Sequence, residues 1–340
     1  MRTFLLYLPL ILGLTACDAF GDRSVPDLPA IQAKQAFTCT HEAERLPPLP
    51  PDADVLFNYA RWLQRENLVK EDPAVEREVG RLYRIAAAQG HHKALFNLIN
   101  GISGGKFDGT IEEMLDFNDA LLKAGVPMAY YNLGHFLENG MGVKEDPDLA
   151  LKYFRKAADL GSPHAQYYVA EKLAPIDAAP DIARQMRRCA AEQGHGKAAL
   201  ALGLNLQGKG SYAEAVEAFQ LGVKAGNDIA ALALEDGFRA PPPSDKLDYL
   251  ALPKDEERSR RYQEIGHVLH AYSYLNPVVP ELDEIVPLPP AKLPPWDGKL
   301  QWRTEFQANV PPPKPTDDLI VRLARDKGLD SASGMPVRKR

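Results

Sequence analysis

Between residues 125 and 165 apolar positions recur at helical spacing in two runs separated by a glycine-rich break. In the first run Pro127 sits where a helix start tolerates a missing N–H, and the apolar residues of AYYNLGHFL follow. The NGMG stretch at 139–142 ends that run, because glycine accepts the left-handed geometry of a helix C-terminus. Asp146-Pro147 opens the second run as N-cap and first-turn proline. That run carries Leu149, Tyr153, Ala157 and Leu160 down one face before Gly161. The pattern predicts one complete helix–turn–helix unit.

Its closing signature repeats. A glycine followed four residues later by alanine occurs at Gly90/Ala94, Gly125/Ala129, Gly161/Ala165, Gly194/Ala198 and Gly226/Ala230, in steps of 35, 36, 33 and 32 residues. Each alanine is followed by Leu98, Leu133, Val169, Leu202 or Leu234 four residues on. A small residue lets two helices approach closely, and the larger one on the same face fills the groove between them. VLFNYARWL, ALFNLI and AYYNLG align Asn58, Asn97 and Asn132, and VKEDP occurs at both 69–73 and 143–147. Thr110-Ile-Glu-Glu113 and Ser211-Tyr-Ala-Glu214 read as capping boxes. Such periods predict an all-α, right-handed α-solenoid over 53–239, with five helix pairs and a final helix at about 228–239. The AYYNLG…NGMGV…D…A…YFRKAADLG…A pattern closely resembles the Sel-one-like repeat (SLR), a relative of the tetratricopeptide repeat.

Beyond residue 240 the pattern breaks: fifteen of the 29 prolines fall between Pro241 and Pro315. Proline removes a backbone donor, so most of this region cannot be regular helix or central strand. One amphipathic helix fits within 254–273 and a short one at 316–327, so 240–327 reads as a cap and strap covering the terminal repeat. Residues 328–340 read as a flexible tail.

At the other end, residues 1–16 form a signal-length apolar run with one positive charge. Leu14-Thr15-Ala16-Cys17 resembles a bacterial lipobox, which implies acylation of Cys17 and anchoring in the periplasm of a Gram-negative bacterium, at the inner or outer membrane. Asp18 leans toward inner-membrane retention under enteric sorting rules. Residues 17–52 then serve as tether and lead-in, ending in LPPLPP. An oxidising compartment leaves Cys39 and Cys189 either paired or separately buried.

Without Arg2 the chain carries 39 basic against 46 acidic residues, and no basic patch points to nucleic acid. HExxH, GxSxG, CxxC and a complete phosphate loop are all missing. Ser103-Gly-Gly-Lys106 matches SxxK, but its glycines favour a turn over the helix that would align Ser and Lys. His91, His92, His164 and His195 follow the interhelical glycines, with no cysteine or carboxylate at ligand spacing. No metal, cofactor or catalytic residue is therefore expected. The candidate partner-binding residues are Asn58, Arg61, Trp62, Asn97, Tyr131, Asn132 and Tyr168, because first-helix positions of stacked repeats commonly face a partner and aromatic and Arg residues anchor interfaces. The competing reading makes the asparagines repeat consensus bonded to nearby backbone, and most of the aromatics core.

SLR lipoproteins of this build, with the same proline-rich tail, resemble the immunity proteins of type VI secretion lipase effectors of the phospholipase D class. The resemblance implies a membrane-anchored binding protein whose partner is such an effector. The alternative is a periplasmic scaffold organising an envelope complex, with an enzyme behind both.

Overall fold

The computed structural model describes residues 23–25, 36–174 and 179–337. The apolar run 1–16 and the lipidation candidate Cys17 lie outside the described residues. Five helix pairs follow one another: α1 (Pro51–Asn67) with α2 (Pro73–Ala88), α3 (His92–Ser103) with α4 (Ile111–Lys123), and α5 (Pro127–Asn139) with α6 (Pro147–Asp159). The series continues through α7 (Pro163–Leu173) with α8 (Pro180–Glu192), and α9 (Gly196–Gly208) with α10 (Tyr212–Lys224). Each pair also packs on the next, which makes the molecule a solenoid of helical repeats. Then α11 (Asp228–Gly237) packs on α12 (Glu256–Ala271) as a sixth pair, so the array continues past 239 through a proline-bearing loop. The described residues contain no strand, only two isolated bridges, and no helix long and apolar enough to cross a membrane.

The repeat signature has a physical cause at each position. All five glycines take positive φ, from +72° at Gly125 to +107° at Gly161, which turns the chain from one helix into the next. The following residue is the N-cap: His91, Ser162, His195 and Asn227 accept the backbone N–H of Ala94, Ala165, Ala198 and Ala230. Those alanines and Ala129 have no exposed surface. Val126 has no side-chain acceptor, and there Glu42 of the lead-in supplies one, taking the N–H of Met128 at 3.1 Å. Burial pushes the Glu42 carboxyl up to about 7, partly opposed by that bond.

Two expected capping boxes are incomplete. Thr110 Oγ1 accepts the Glu113 N–H at 3.2 Å, but the Glu113 carboxylate turns to Arg84 at 3.0 Å instead of reaching back. Ser211 makes no capping bond; its ψ of 61° is off the extended geometry that aims an N-cap oxygen into the helix. Ser103 ends α3, with Gly104 and Gly105 turning the chain beyond it as expected.

The C-terminal segment does more than cover the last repeat. From α12, Arg261 donates to the carbonyls of Ile285 and Pro294 at 2.6 and 2.8 Å, and Arg258 to that of Pro287 at 3.1 Å. A proline-rich run offers acceptors but few donors, so these buried guanidiniums hold it in place. The short helix α13 (Leu282–Ile285) packs on α10 and covers the end of the array. The chain then passes through α14 (Gln301–Ala308) to α15 (Asp317–Asp326), which packs on α1 and α2 at the opposite end. Ile320, Leu323 and Ala324 enter the core of the first repeats. Gln89 donates to the Leu323 carbonyl at 2.8 Å, and Arg322 pairs with Asp52 at 2.7 Å. The segment expected as a cap and strap thus covers the last repeats and also reaches the first pair. The expected loose tail is corrected through residue 337. There Leu329 bridges to Pro336, and Arg81 donates to the Ser331 carbonyl at 2.7 Å.

The lead-in is docked across the middle of the array. Thr40 Oγ1 donates to the Asp159 carbonyl at 2.8 Å, Gln166 donates to the Thr40 carbonyl at 3.0 Å, and the Glu42 N–H reaches Gln193 at 2.8 Å. Cys39 and Cys189 form a disulfide with Cα atoms 5.6 Å apart, tying the lead-in to α8 across 150 residues.

Candidate partner-binding surface

The first helix of each pair sends its alanine-and-leucine face into the core and leaves a neighbouring face outward. On α1 that outward face carries Asn58 and Arg61, both exposed, and half-buried Trp62. Asn58 donates to Asp54 at 2.9 Å and Arg61 to Gln64 at 2.8 Å within α1, and Arg61 also reaches the Tyr83 hydroxyl of α2. Trp62 Nε1 and Arg65 donate to Asn309 Oδ1 at 3.1 and 2.6 Å, where the C-terminal segment returns. Trp302 and Phe306 of α14 stack at 5.2 Å, and the Arg65 guanidinium lies 5.8 Å above the Phe306 ring. These groups, with Tyr274 and Leu275, line a cleft of about 630 Å³. Tyr274, Trp302 and Phe306 were not legible as site residues, because only the return of the chain end brings them to α1.

A second aromatic area runs across α5, α7 and the start of α9. Tyr131 contacts His135 at 4.6 Å, Tyr168 at 6.1 Å and His164 at 6.1 Å; His164 meets His195 at 5.0 Å, and Tyr167 meets His195 at 4.8 Å. Tyr168 donates to Glu138 at 2.6 Å, and the Lys172 ammonium lies 5.1 Å over its ring. Burial lowers the pKa of His135 and takes His195 down to about 4; burial and Glu138 raise Tyr168. At neutral pH His135, His195 and Tyr168 are uncharged. The surface therefore suits stacking and hydrogen bonding more than proton transfer near pH 7.

The asparagine row divides. Asn58 faces outward at the cleft, and Asn97 is half-buried. Asn132 is buried and donates to Asn118 at 3.1 Å, while Asn118 donates to the Ala129 carbonyl at 3.0 Å. Asn132 thus ties α4 to α5 and is corrected from a partner contact to a packing residue. Its burial follows from the close crossing at Ala129. Tyr131 and Tyr168 are half-buried within the ring cluster, each keeping an outward part.

The fold is a solenoid of helical repeats, and within it the Sel1 repeat model matches residues 127–162. A second family, described as a domain of unknown function (DUF6396), matches residues 230–337. Among solved structures, the chain is similar to Pseudomonas aeruginosa PA5086, with 29% identity, TM-score 0.57, and 75% of this chain and 96% of that one covered. It is also similar to immunity protein Pa5087 of Pseudomonas aeruginosa, with 26% identity, TM-score 0.56 and coverage of 75% and 95%. Immunity protein PA5088 of the same organism gives 26% identity, TM-score 0.57 and coverage of 75% and 94%. No curated protein matches the chain by sequence.

Proposed function

We propose that this protein is a non-catalytic immunity protein that binds and inhibits a type VI secretion lipase effector of the phospholipase D class. The observation that carries the reading is likeness along three-quarters of the chain to two structures named as immunity proteins. The aromatic and arginine groups on the first-helix face support it, since such side chains anchor protein interfaces. Acylated Cys17 would hold the solenoid in the periplasm, between an incoming lipase and the phospholipid it attacks. Metabolic labelling with a palmitate analogue tests the anchor: label should vanish in Cys17→Ser.

Inhibition must be tight, because one escaping enzyme molecule turns over many lipids. The purified protein should bind the effector with nanomolar or lower Kd, about 12 kcal/mol, and suppress phospholipid hydrolysis at near-equal stoichiometry. Arg61→Glu, at an exposed side chain of the cleft, should weaken inhibition at least about tenfold, with circular dichroism expected to show unchanged helicity. Survival of cells lacking the protein under attack by sister cells carrying every lipase effector, with no other immunity gene compensating, would sink the proposal.

A further inference from the structure

Among the described residues one cluster brings three metal-ligating side chains together: Cys39, His41 and Cys189, whose ligand atoms all lie within 4.8 Å of one another. In the oxidised protein the two sulfurs are spent on each other. The imidazole beside them has no part in that bond. Glu192 Oε2 stands 3.9 Å from His41 Nε2, adding negative charge at the same spot.

What the cluster becomes on reduction depends on whether the lead-in stays where it is. Four contacts that do not involve sulfur hold it: Thr40 to Asp159, Gln166 to Thr40, Glu42 to Gln193, and Met128 to Glu42. These bonds keep the Cys39 and His41 backbone against α7 and α8 after the sulfurs part, so two thiols and an imidazole remain facing one another. Ligand atoms on neighbouring corners of a tetrahedral zinc site stand about 3.5–4 Å apart, and those of this cluster all lie within 4.8 Å of one another. Cys39 and Glu192 are exposed and His41 is half-buried, so solvent ions reach the site, whereas Cys189 is buried.

We propose that the reduced protein binds one thiophilic divalent cation of the zinc type through Cys39, His41 and Cys189, with water in the fourth position. Disulfide and metal are then alternative occupants of one clip joining the lead-in to α8. A dithiol reductant attacks at the exposed Cys39 sulfur and releases the Cys189 thiolate. Its second thiol resolves the mixed disulfide, so two electrons pass from the dithiol, which ends as its own disulfide, and the protein holds two thiols. Cation binding displaces the proton from each cysteine still protonated, up to two per metal. Neutral His41 donates a nitrogen lone pair, and no further redox change occurs.

The test uses full-length protein reduced with a dithiol, freed of it under argon, and titrated with cobalt(II) alone. One equivalent should give thiolate-to-cobalt charge-transfer absorption together with the strong visible bands of tetrahedral cobalt, and zinc(II) should bleach both. The oxidised protein should give neither. His41→Ala, which removes no core side chain, should weaken cobalt binding at least about tenfold, with circular dichroism confirming that it is folded. Cys39→Ser, read in the same way, should lose half of the charge-transfer intensity or more. Cobalt binding by reduced protein without the thiolate band overturns the proposal. So does undiminished affinity in folded His41→Ala, or equal binding by the oxidised form.

Discussion

The residue-scale device of this protein is the glycine and the cap that follows it. Gly90 and Gly161 hold the same place in their repeats, yet their surroundings differ. A Cβ at Gly90 meets nothing within 4 Å, whereas one at Gly161 would stand 2.7 Å from the Glu42 N and the His41 carbonyl carbon. Alanine at either position bears a positive-φ strain of about 1–2 kcal/mol. Gly161→Ala should cost roughly 2 kcal/mol more than Gly90→Ala in denaturant unfolding, because the docked lead-in must also shift. Equal losses would mean that the lead-in does not bear on that turn. The histidine caps predict a pH dependence. His195 accepts an N–H through Nδ1 and must be neutral to do so, and its pKa falls to about 4 from an ordinary 6.5. A lowered histidine pKa means stability that is complete above about pH 6.5 and lost as pH falls through about 4. His195→Asn keeps a cap of the kind Asn227 already makes while removing the titration. It should therefore gain on the order of 1–2 kcal/mol relative to wild type at pH 5 compared with pH 8, measured by urea unfolding at both.

At the scale of elements, the helices of the array are legible because each is specified within about 35 residues: glycine to cap to alanine to the next apolar residue. The start of α6 at Pro147 follows from Asp146 and Pro147 together: the Asp146 side chain accepts the Leu149 N–H at 2.9 Å, and the proline fits the first turn. Contacts set by distance in space were not legible. Nothing local in residues 317–326 says that Ile320 and Leu323 belong to the core of the first repeats, and nothing near Val126 says that Glu42 will cap α5. The pairing of α11 with α12 was hidden in the same way, because a proline-bearing loop replaces the usual short turn. Of the candidate site, Arg61 and Trp62 were readable from helix position. For Asn132 the packing alternative holds, since an outward-facing consensus asparagine and a buried one look alike until the neighbouring helix is placed. The return of α15 makes a prediction of its own. Ending the chain after Pro315 removes α15 and should raise hydrogen exchange in α1 and α2 while leaving α9 and α10 protected. Equal loosening along the array would show that α15 does not act as a local lid on the first pair.

The whole molecule is tied in two places, and the disulfide is one of them. Closing a 150-residue loop should stabilise the oxidised protein by about 3–5 kcal/mol over Cys39→Ser, seen as a lower guanidinium midpoint for the variant in the absence of metal. The second tie is the C-terminal segment, which is anchored on α10 and α12 at one end and on α1 and α2 at the other. An open helical-repeat array behaves as a spring: it flexes about its nearest-neighbour contacts and can be wound or unwound by whatever it grips. A spring held at both ends has its pitch set in advance. A partner meeting this surface finds a gauge of fixed width, so a mismatched element is refused by shape, and the ordering cost of conforming to the partner has already been met during folding.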